Sequence, residues 1–222
     1  MTILTKQVAA STDDCVVRLL SGAWDIDLTN VGQSVGYITS TNYKVGGGLR
    51  FLNVAIPVGA IITTAYLILT ARVADALTTV NSVIIGEKTA TPATFGTVAN
   101  YQGRRGNSQG AVGWDAGNPT TAYVNWDGID AWEVNAKYAS PEIKTIIQEI
   151  IGLPTWLGDG TDDIVIFWDD HANRSTQTAS TRRQAYSYND TPAKAAQLYI
   201  EYVVPTPVAD GDLIGIAIIR KS

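Results

Sequence analysis

The residue in this chain best suited to chemistry is its one histidine, His171, which directly follows Asp169 and Asp170. An Asp–His pair can serve acid–base catalysis, and the same residue types bind metals. A serine hydrolase, however, needs a nucleophile beside an oriented base, and a zinc site needs more ligands than one His and one Cys supply. We therefore expect His171 to be a loop residue without a catalytic role, in a protein that is not an enzyme.

Pairs of aspartates form a second candidate site. Asp13 and Asp14 are adjacent, as are Asp169 and Asp170, and both pairs fall in predicted loops. Calcium takes roughly six to eight oxygen ligands, so these four residues are calcium candidates, and calcium is the one cofactor considered. Their spacing does not match an EF-hand loop. We expect ordinary solvated turn aspartates and no bound metal.

Aromatic residues could form a binding platform, because exposed rings stack on sugars. Trp114 and Trp132 lie in or beside long predicted loops and are the glycan-stacking candidates. Trp168 belongs to an apolar strand and is expected in the core. Packing is the commoner role of aromatic rings in a sandwich, so that alternative stays open for the two candidates.

The arginines give a more specific expectation. Arg50 stands between Leu49 and Phe51, and a guanidinium in a central strand needs a buried carboxylate partner. The two basic pairs, at positions 104–105 and 182–183, are expected to be ordinary surface charges.

The elements that would position these residues are mostly strands. Residues 62–72 and 197–204 alternate between apolar and polar side chains, and residues 163–168 are apolar on both faces. Leu49 to Val54 is a further strand, and the glycines at 46–48 before it suggest a bend or bulge. Residues 89–120, rich in Gly, Thr and Asn, indicate long loops. The fold class is all-β, an antiparallel jelly-roll β-sandwich.

One short helix is predicted, over about residues 140–151. Ser140 is suited to capping it, Pro141 to its first position, and Glu142 to its positive end. The isoleucines that follow have the spacing of one buried stripe. Gly152 is expected to end the helix.

The C-terminal segment differs in character from the rest. We expect a sandwich domain over residues 1–204, then a linker containing proline and an apolar strand over 205–222. That strand is an aggregation hazard in water, so it must fold onto its own sheet or add to the sheet of a neighbouring subunit. The assembly candidates are Leu213, Ile214, Ile216, Ile218 and Ile219.

Composition narrows the choice of partner. The 222 residues carry a net charge of −5, which argues against a general nucleic-acid binder. No apolar run reaches the roughly 18 residues of a membrane span. With one cysteine, Cys15, an intrachain disulfide is impossible. No signal-peptide pattern follows Met1.

Two stretches together resemble a known family. Residues 49–67 match the pattern R-F-x-N-V-x-I-P-x-G-A-x-I-x-x-A-x-L of DNRLRE-type domains, and stretches between residues 124 and 202 are similar to the second half of those domains. The resemblance covers about residues 5–204. It implies a carbohydrate-binding-like jelly roll, in the variant found in phage and prophage proteins, and it carries no catalytic residues.

The resemblance and the sequence together favour a structural virion protein, either a capsid decoration or a tail-associated jelly roll. Its partners would be copies of itself or other virion proteins, with the segments 213–219 and 2–9 as the contact segments. The alternative is a carbohydrate-binding module at the cell surface or outside the cell, with a surface glycan as partner. A polysaccharide hydrolase ranks third, because it needs two carboxylates facing each other across a cleft.

Overall fold

The chain folds as an antiparallel β-sandwich, as expected. The structure is a computed structural model and describes residues 1–39, 43–76, 79–107, 114 and 116–206. The strands of this part are β1 (Thr2–Gln7), β2 (Asp14–Leu20), β3 (Ala23–Asp27), β4 (Gly32–Tyr37), β5 (Tyr43–Phe51), β6 (Ile61–Thr70), β7 (Ser82–Glu87), β8 (Pro119–Trp126), β9 (Lys137–Ala139), β10 (Ile164–Asp169), β11 (Arg182–Tyr186) and β12 (Gln197–Val203). Its helices are α1 (Val98–Arg105) and α2 (Lys144–Ile151), and neither is long and apolar enough to cross a membrane.

The first sheet has the order β1-β12-β6-β9. Its strands alternate as predicted, so Ala65, Leu67, Leu69, Leu198 and Ile200 point inward and are fully buried. Val204, expected to face inward as well, lies beyond the end of β12 and is 51% exposed. β1 forms one end of this sheet, and β12 is its partner in the sheet.

The second sheet has the path β11-β4-β5-β10-β7-β8, with the hairpin of β2 and β3 attached to β5. Strand β10 is buried along its whole length, as its two apolar faces predicted. One face packs between the sheets with Ile164, Ile166 and Trp168. The other face supports a second apolar cluster, which includes Val165 and Phe167 and is covered by α1.

The three glycines 46–48 lie inside β5, and the predicted bend at them is wrong. They are there because neighbouring atoms leave no room for a side chain. A Cβ on Gly46 would lie 2.3 Å from the Cβ of Asp169, and one on Gly47 would lie 2.0 Å from the carbonyl oxygen of Cys15. Close packing of β2 and β10 on both sides of β5 therefore requires glycine.

Arg50 confirms the expectation of buried carboxylate partners. Its Nη1 lies 2.9 Å from Asp13, and its Nη2 lies 2.6 Å from Asp163. The Nε donates to the carbonyl oxygen of Pro92. This arginine thus ties β5 to the turn before β2 and to the start of β10.

Two helix expectations need correction. α2 begins at Lys144, not at Ser140, and its N-terminal boundary residue Ile143 makes no side-chain cap. The buried isoleucine stripe and the end at Gly152 are confirmed. α1 lies inside residues 89–120, which were expected to be loops, and Thr97 caps it by accepting from the N–H of Asn100. The loop composition hid α1 because that helix buries one aromatic ring and two arginines instead of an apolar stripe.

A substitution at Gly47 tests the packing of β5. Gly47→Ala places a methyl group against a backbone carbonyl that cannot move without disturbing β2, so we expect a loss of about 2 kcal/mol or more. Gly96→Ala is the control, because a Cβ there meets no atom within 4 Å, and its effect should stay within about 0.5 kcal/mol. Urea unfolding of both variants measures this, and equal stabilities would contradict the packing argument.

Candidate functional site

The first candidate site is the set of sheet edges, where backbone groups need partners. In the first sheet, β9 pairs only with residues 68–70 of β6, and side chains in and before α2 supply partners to the earlier part of that strand. Ser140 Oγ accepts from the N–H of Leu67 at 3.0 Å, and Ser140 is therefore occupied by the sheet and not by the helix. The remaining pairs are Glu142 with the N–H of Ala65 at 2.6 Å and Gln148 with the N–H of Ile62 at 2.8 Å.

The end strands of the second sheet are protected as well. The carboxylate of Glu149 accepts from the N–H groups of Thr121 and Ala122 in β8, at 2.9 and 2.8 Å. β11 is bridged on its outer side, where the N–H of Arg72 donates to the carbonyl of Gln184. β3 is short and carries Asp25 and Asp27, which pair with Arg18, and charge on an edge discourages pairing with another chain.

β1 is an exception. No described residue bonds to the outer side of its backbone, and the strand carries a single charge, Lys6. The N–H of Val8 donates to Ala196 across from it, so the Val8–Ala196 pair is a hydrogen-bonded pair of the ladder. Such pairs alternate along antiparallel strands. The backbone groups of Ile3, Thr5 and Gln7 therefore point away from β12, toward the open edge.

The side chains around this edge are also incompletely covered. Ile3 is 57% exposed on the outer face of the first sheet. Leu4 packs against the core on the other face but is only partly buried. A strand added beside β1 would bury more of Leu4 and satisfy three outward N–H groups, which makes this edge a candidate site for strand addition.

The second candidate site is a buried polar cluster on the outer face of the second sheet. Arg105 and Asp169 form a two-point ion pair with distances of 2.6 and 3.2 Å, and they are 0% and 1% exposed. The Arg105 guanidinium keeps the pKa of Asp169 below its usual value despite burial. This pair holds the end of α1 to the end of β10.

His171 belongs to this cluster. It follows β10 in a turn, as expected, but it is only 2% exposed. The rings of Trp24 and Trp114 lie 4.9 and 4.8 Å from its ring, centre to centre. Burial lowers its pKa to about 4, so the imidazole is neutral near pH 7. Its Nε2 lies 3.5 Å from the hydroxyl of Tyr101.

The calcium candidates already have protein partners. Asp13 pairs with Arg50, and Asp169 pairs with Arg105. Asp14 accepts from the N–H of Tyr188 at 2.8 Å, and Asp170 accepts from two backbone N–H groups. The expectation of solvated turns is wrong, since all four aspartates are at most 2% exposed. In the described ranges no three His, Cys, Asp or Glu side chains gather as a metal site would require.

The glycan-stacking candidates are buried as well. Trp114 is 7% exposed and packs edge-on against Trp24. Trp132 is 2% exposed and stacks on Tyr138 at 4.9 Å. Stacking on a sugar requires an exposed ring face, so the structure overturns this role for both residues. The expectation that Trp168 lies in the core is confirmed.

The paired arginines are not ordinary surface charges. Arg104 forms an ion pair with Glu87 at 2.6 Å. Arg183 is fully buried and donates to the carbonyl oxygens of Ile129 and Asp130. Their partners come from distant parts of the sequence, which is why a local pattern does not reveal them.

An expected absence of the serine-hydrolase motif Gly-x-Ser-x-Gly is wrong, because the sequence contains it around Ser34. Gly32-Gln33-Ser34-Val35-Gly36 has the spacing of a hydrolase nucleophile turn. The structure places Ser34 within β4, where it is 2% exposed and its Oγ accepts from Gln184 at 2.9 Å. A nucleophile elbow needs an exposed serine between a strand and a helix, and Ser34 has neither property.

The C-terminal assembly candidates lie outside the described residues. These are Leu213, Ile214, Ile216, Ile218 and Ile219. The described chain ends at Thr206, shortly after β12.

No protein-family model matches the chain, and a search of curated proteins finds no match. The likeness to DNRLRE-type domains therefore stays a prediction from the motif.

Two buried groups predict an unusual dependence of stability on pH. Burial lowers the pKa of His171 to about 4, so the unfolded chain takes up this proton more readily than the folded protein. The free energy of unfolding therefore falls by roughly 3 kcal/mol as the pH drops from 6.5 toward 4. Burial raises the pKa of Asp14 to about 6. Protonation of Asp14 in the folded protein therefore adds roughly 2 kcal/mol to the free energy of unfolding over the same pH range. The two effects oppose each other in the native protein.

Substitution separates these contributions. Asp14→Asn should lose more stability than the native protein between pH 6.5 and pH 4, because only the His171 effect remains. His171→Gln should show the reverse and gain stability relative to the native protein over that range. Urea unfolding at several pH values measures both differences, and parallel curves for all three proteins would show that these groups do not titrate as described.

Proposed function

We propose that this protein is a non-enzymatic structural subunit that works by assembly, with the open edge of β1 as its main contact. The observation that carries the proposal is the contrast between edges. β6 and β8 have outward N–H groups bonded by side chains of Glu142, Gln148 and Glu149, whereas no described residue bonds the outward groups of β1.

An edge strand whose outward groups no described residue bonds, beside exposed apolar side chains, promotes association with other chains, and Lys6 is the one charge that β1 carries against it. The same molecule bonds the uncovered part of β6 and the outer side of β8 with specific side chains, so the chain has the means to protect an edge. An unprotected β1 is therefore best explained as an interface, which another strand covers in the assembled state.

The likeness to DNRLRE-type domains supports a virion component as the particular role, either a capsid decoration or a tail-associated protein located in the particle. The buried cluster favours structure over catalysis. Asp169, His171 and Arg105 are at most 2% exposed, so a substrate cannot reach them in this conformation. We infer that they fasten α1 to the sheet.

Thr5→Pro tests the assembly edge. The N–H of Thr5 points away from β12, so proline removes an outward donor without breaking the ladder, and edge strands tolerate proline at such positions. We expect the native protein to be oligomeric in light scattering and Thr5→Pro to have the mass of a single chain at the same concentration. Thr5→Val keeps the N–H and should assemble normally.

Thermal unfolding of the variants provides the control for folding. The isolated subunit should unfold at similar temperatures with proline or valine at position 5. A native protein that stays monomeric at all concentrations, or a folded Thr5→Pro that assembles normally, would contradict the proposal.

A second candidate function is glycan attachment, and a different pair of rings favours it. Tyr66 and Tyr199 stack across β6 and β12 with their centres 4.8 Å apart, on the half-exposed outer face of the first sheet. The hydroxyl of Tyr199 donates to Glu201 at 2.6 Å. Rings beside a carboxylate offer both stacking and hydrogen bonds to a sugar.

The glycan hypothesis is tested on a broad glycan array. The native protein should bind at least one surface polysaccharide, and the double substitution Tyr66→Ala with Tyr199→Ala should abolish that binding. Tyr123→Ala is the control, because Tyr123 is 41% exposed on β8, away from this face. Absence of binding by the native protein, or equal binding by the double variant, would exclude this role for the rings.

A further inference from the structure

We propose that the open edge of β1 receives residues 213–219 of a second copy of this chain, added as an antiparallel strand. This inference rests on the proposed assembly function and names the partner segment. The segment lies outside the described residues.

The segment has the length that β1 requires. β1 has six residues and spans about 20 Å, and seven residues of an added strand span about 24 Å. The outward groups at Ile3, Thr5 and Gln7 lie along this length. One added strand therefore satisfies the whole edge.

Antiparallel pairing with the chain's own segment is disfavoured by geometry. Tyr202 pairs with Thr2, so the chain leaves β12 beside the start of β1. An antiparallel strand on the outer edge must start at the other end of β1, roughly 22 Å away. Within one chain, residues 204–212 would have to cover this distance, and Ala-Asp-Gly-Asp at 209–212 is a sequence that favours a turn. A turn shortens the reach of the connection, whereas a strand from another copy needs no such connection.

Parallel pairing within one chain is also disfavoured. It would add a single parallel strand to an otherwise antiparallel sheet, and antiparallel pairs are the commoner kind overall. A strand from another copy has no such constraint on its direction. It can approach β1 in the antiparallel direction. All strand pairs of the described chain are antiparallel, in both sheets.

The composition of the segment points to two copies as well. Six of its seven residues are apolar, so both of its faces are apolar. A strand added at the end of its own sheet has only the inner face covered. Between two subunits, the inner face meets the core beside Leu4, and the outer face is covered next to the exposed Ile3.

Disulfide trapping tests the pairing. Thr5→Cys is mixed with full-chain variants that each carry one added cysteine, at position 214, 216 or 218, and the mixture is mildly oxidised. Three positions are tried because the geometry does not fix the register of the pairing. Neighbouring strands bring side chains within disulfide range. The native Cys15 is 1% exposed and does not interfere. Thr121→Cys is the control for Thr5→Cys, because the N–H of Thr121 is already bonded to Glu149.

We expect a covalent dimer of the two different variants with Thr5→Cys and little with Thr121→Cys. A further variant carries Thr5→Cys and one of the C-terminal cysteines in the same chain. Cross-links that form only within single chains of that variant would overturn the inference. Dimers of Thr5→Cys with itself alone would also overturn it, since they show β1 pairing with β1.

A second measurement separates this inference from the proposed function. Ile216→Asp with Ile218→Asp in the full chain should lose assembly in light scattering, whereas Ile216→Val with Ile218→Val should retain it. If the aspartate variant assembles while Thr5→Pro does not, the edge is an interface but its partner is another segment. If the native protein does not assemble, the proposed function itself fails.

Discussion

The unpaired backbone of an edge strand is the constraint on which this structure depends. Each outward N–H or carbonyl must find a partner in the chain, in water or in another chain. α2 and the residues before it meet this requirement for β6 and β8, and so join the two sheets along one side of the sandwich. No described residue bonds the outward groups of β1, which ends the first sheet. The proposed assembly rests on that difference.

The same constraint explains where α2 begins. Ser140 and Glu142 have the residue types that start a helix, but their oxygens accept from the N–H groups of Leu67 and Ala65 in β6. The helix therefore starts later, at Lys144. The residues that could form an earlier helical turn bond the backbone of β6 instead. The buried ion pair of Arg105 with Asp169 has a comparable role on the other face, because it fixes α1 over the second sheet.

Local patterns predicted the parts of the fold that depend on local periodicity. Alternation predicted β6 and β12, and a continuous apolar run predicted β10. The apolar neighbours of Arg50 predicted that its guanidinium would need carboxylate partners. Patterns failed where a distant residue decides the outcome. Trp114 and His171 looked exposed because their sequence neighbours are polar, yet they pack on each other under α1. Likewise, nothing near Thr5 in the sequence shows that its N–H faces outward, because the register with β12 determines it.

Amide hydrogen exchange, resolved by residue, tests the central claim most directly. The N–H groups of Thr121 and Ala122 are bonded within the subunit, so their protection should not depend on protein concentration. The N–H groups of Ile3, Thr5 and Gln7 should exchange freely in dilute solution and become protected at concentrations where the protein assembles. Rapid exchange of these three at every concentration would contradict the account, because the edge of β1 would then never be covered.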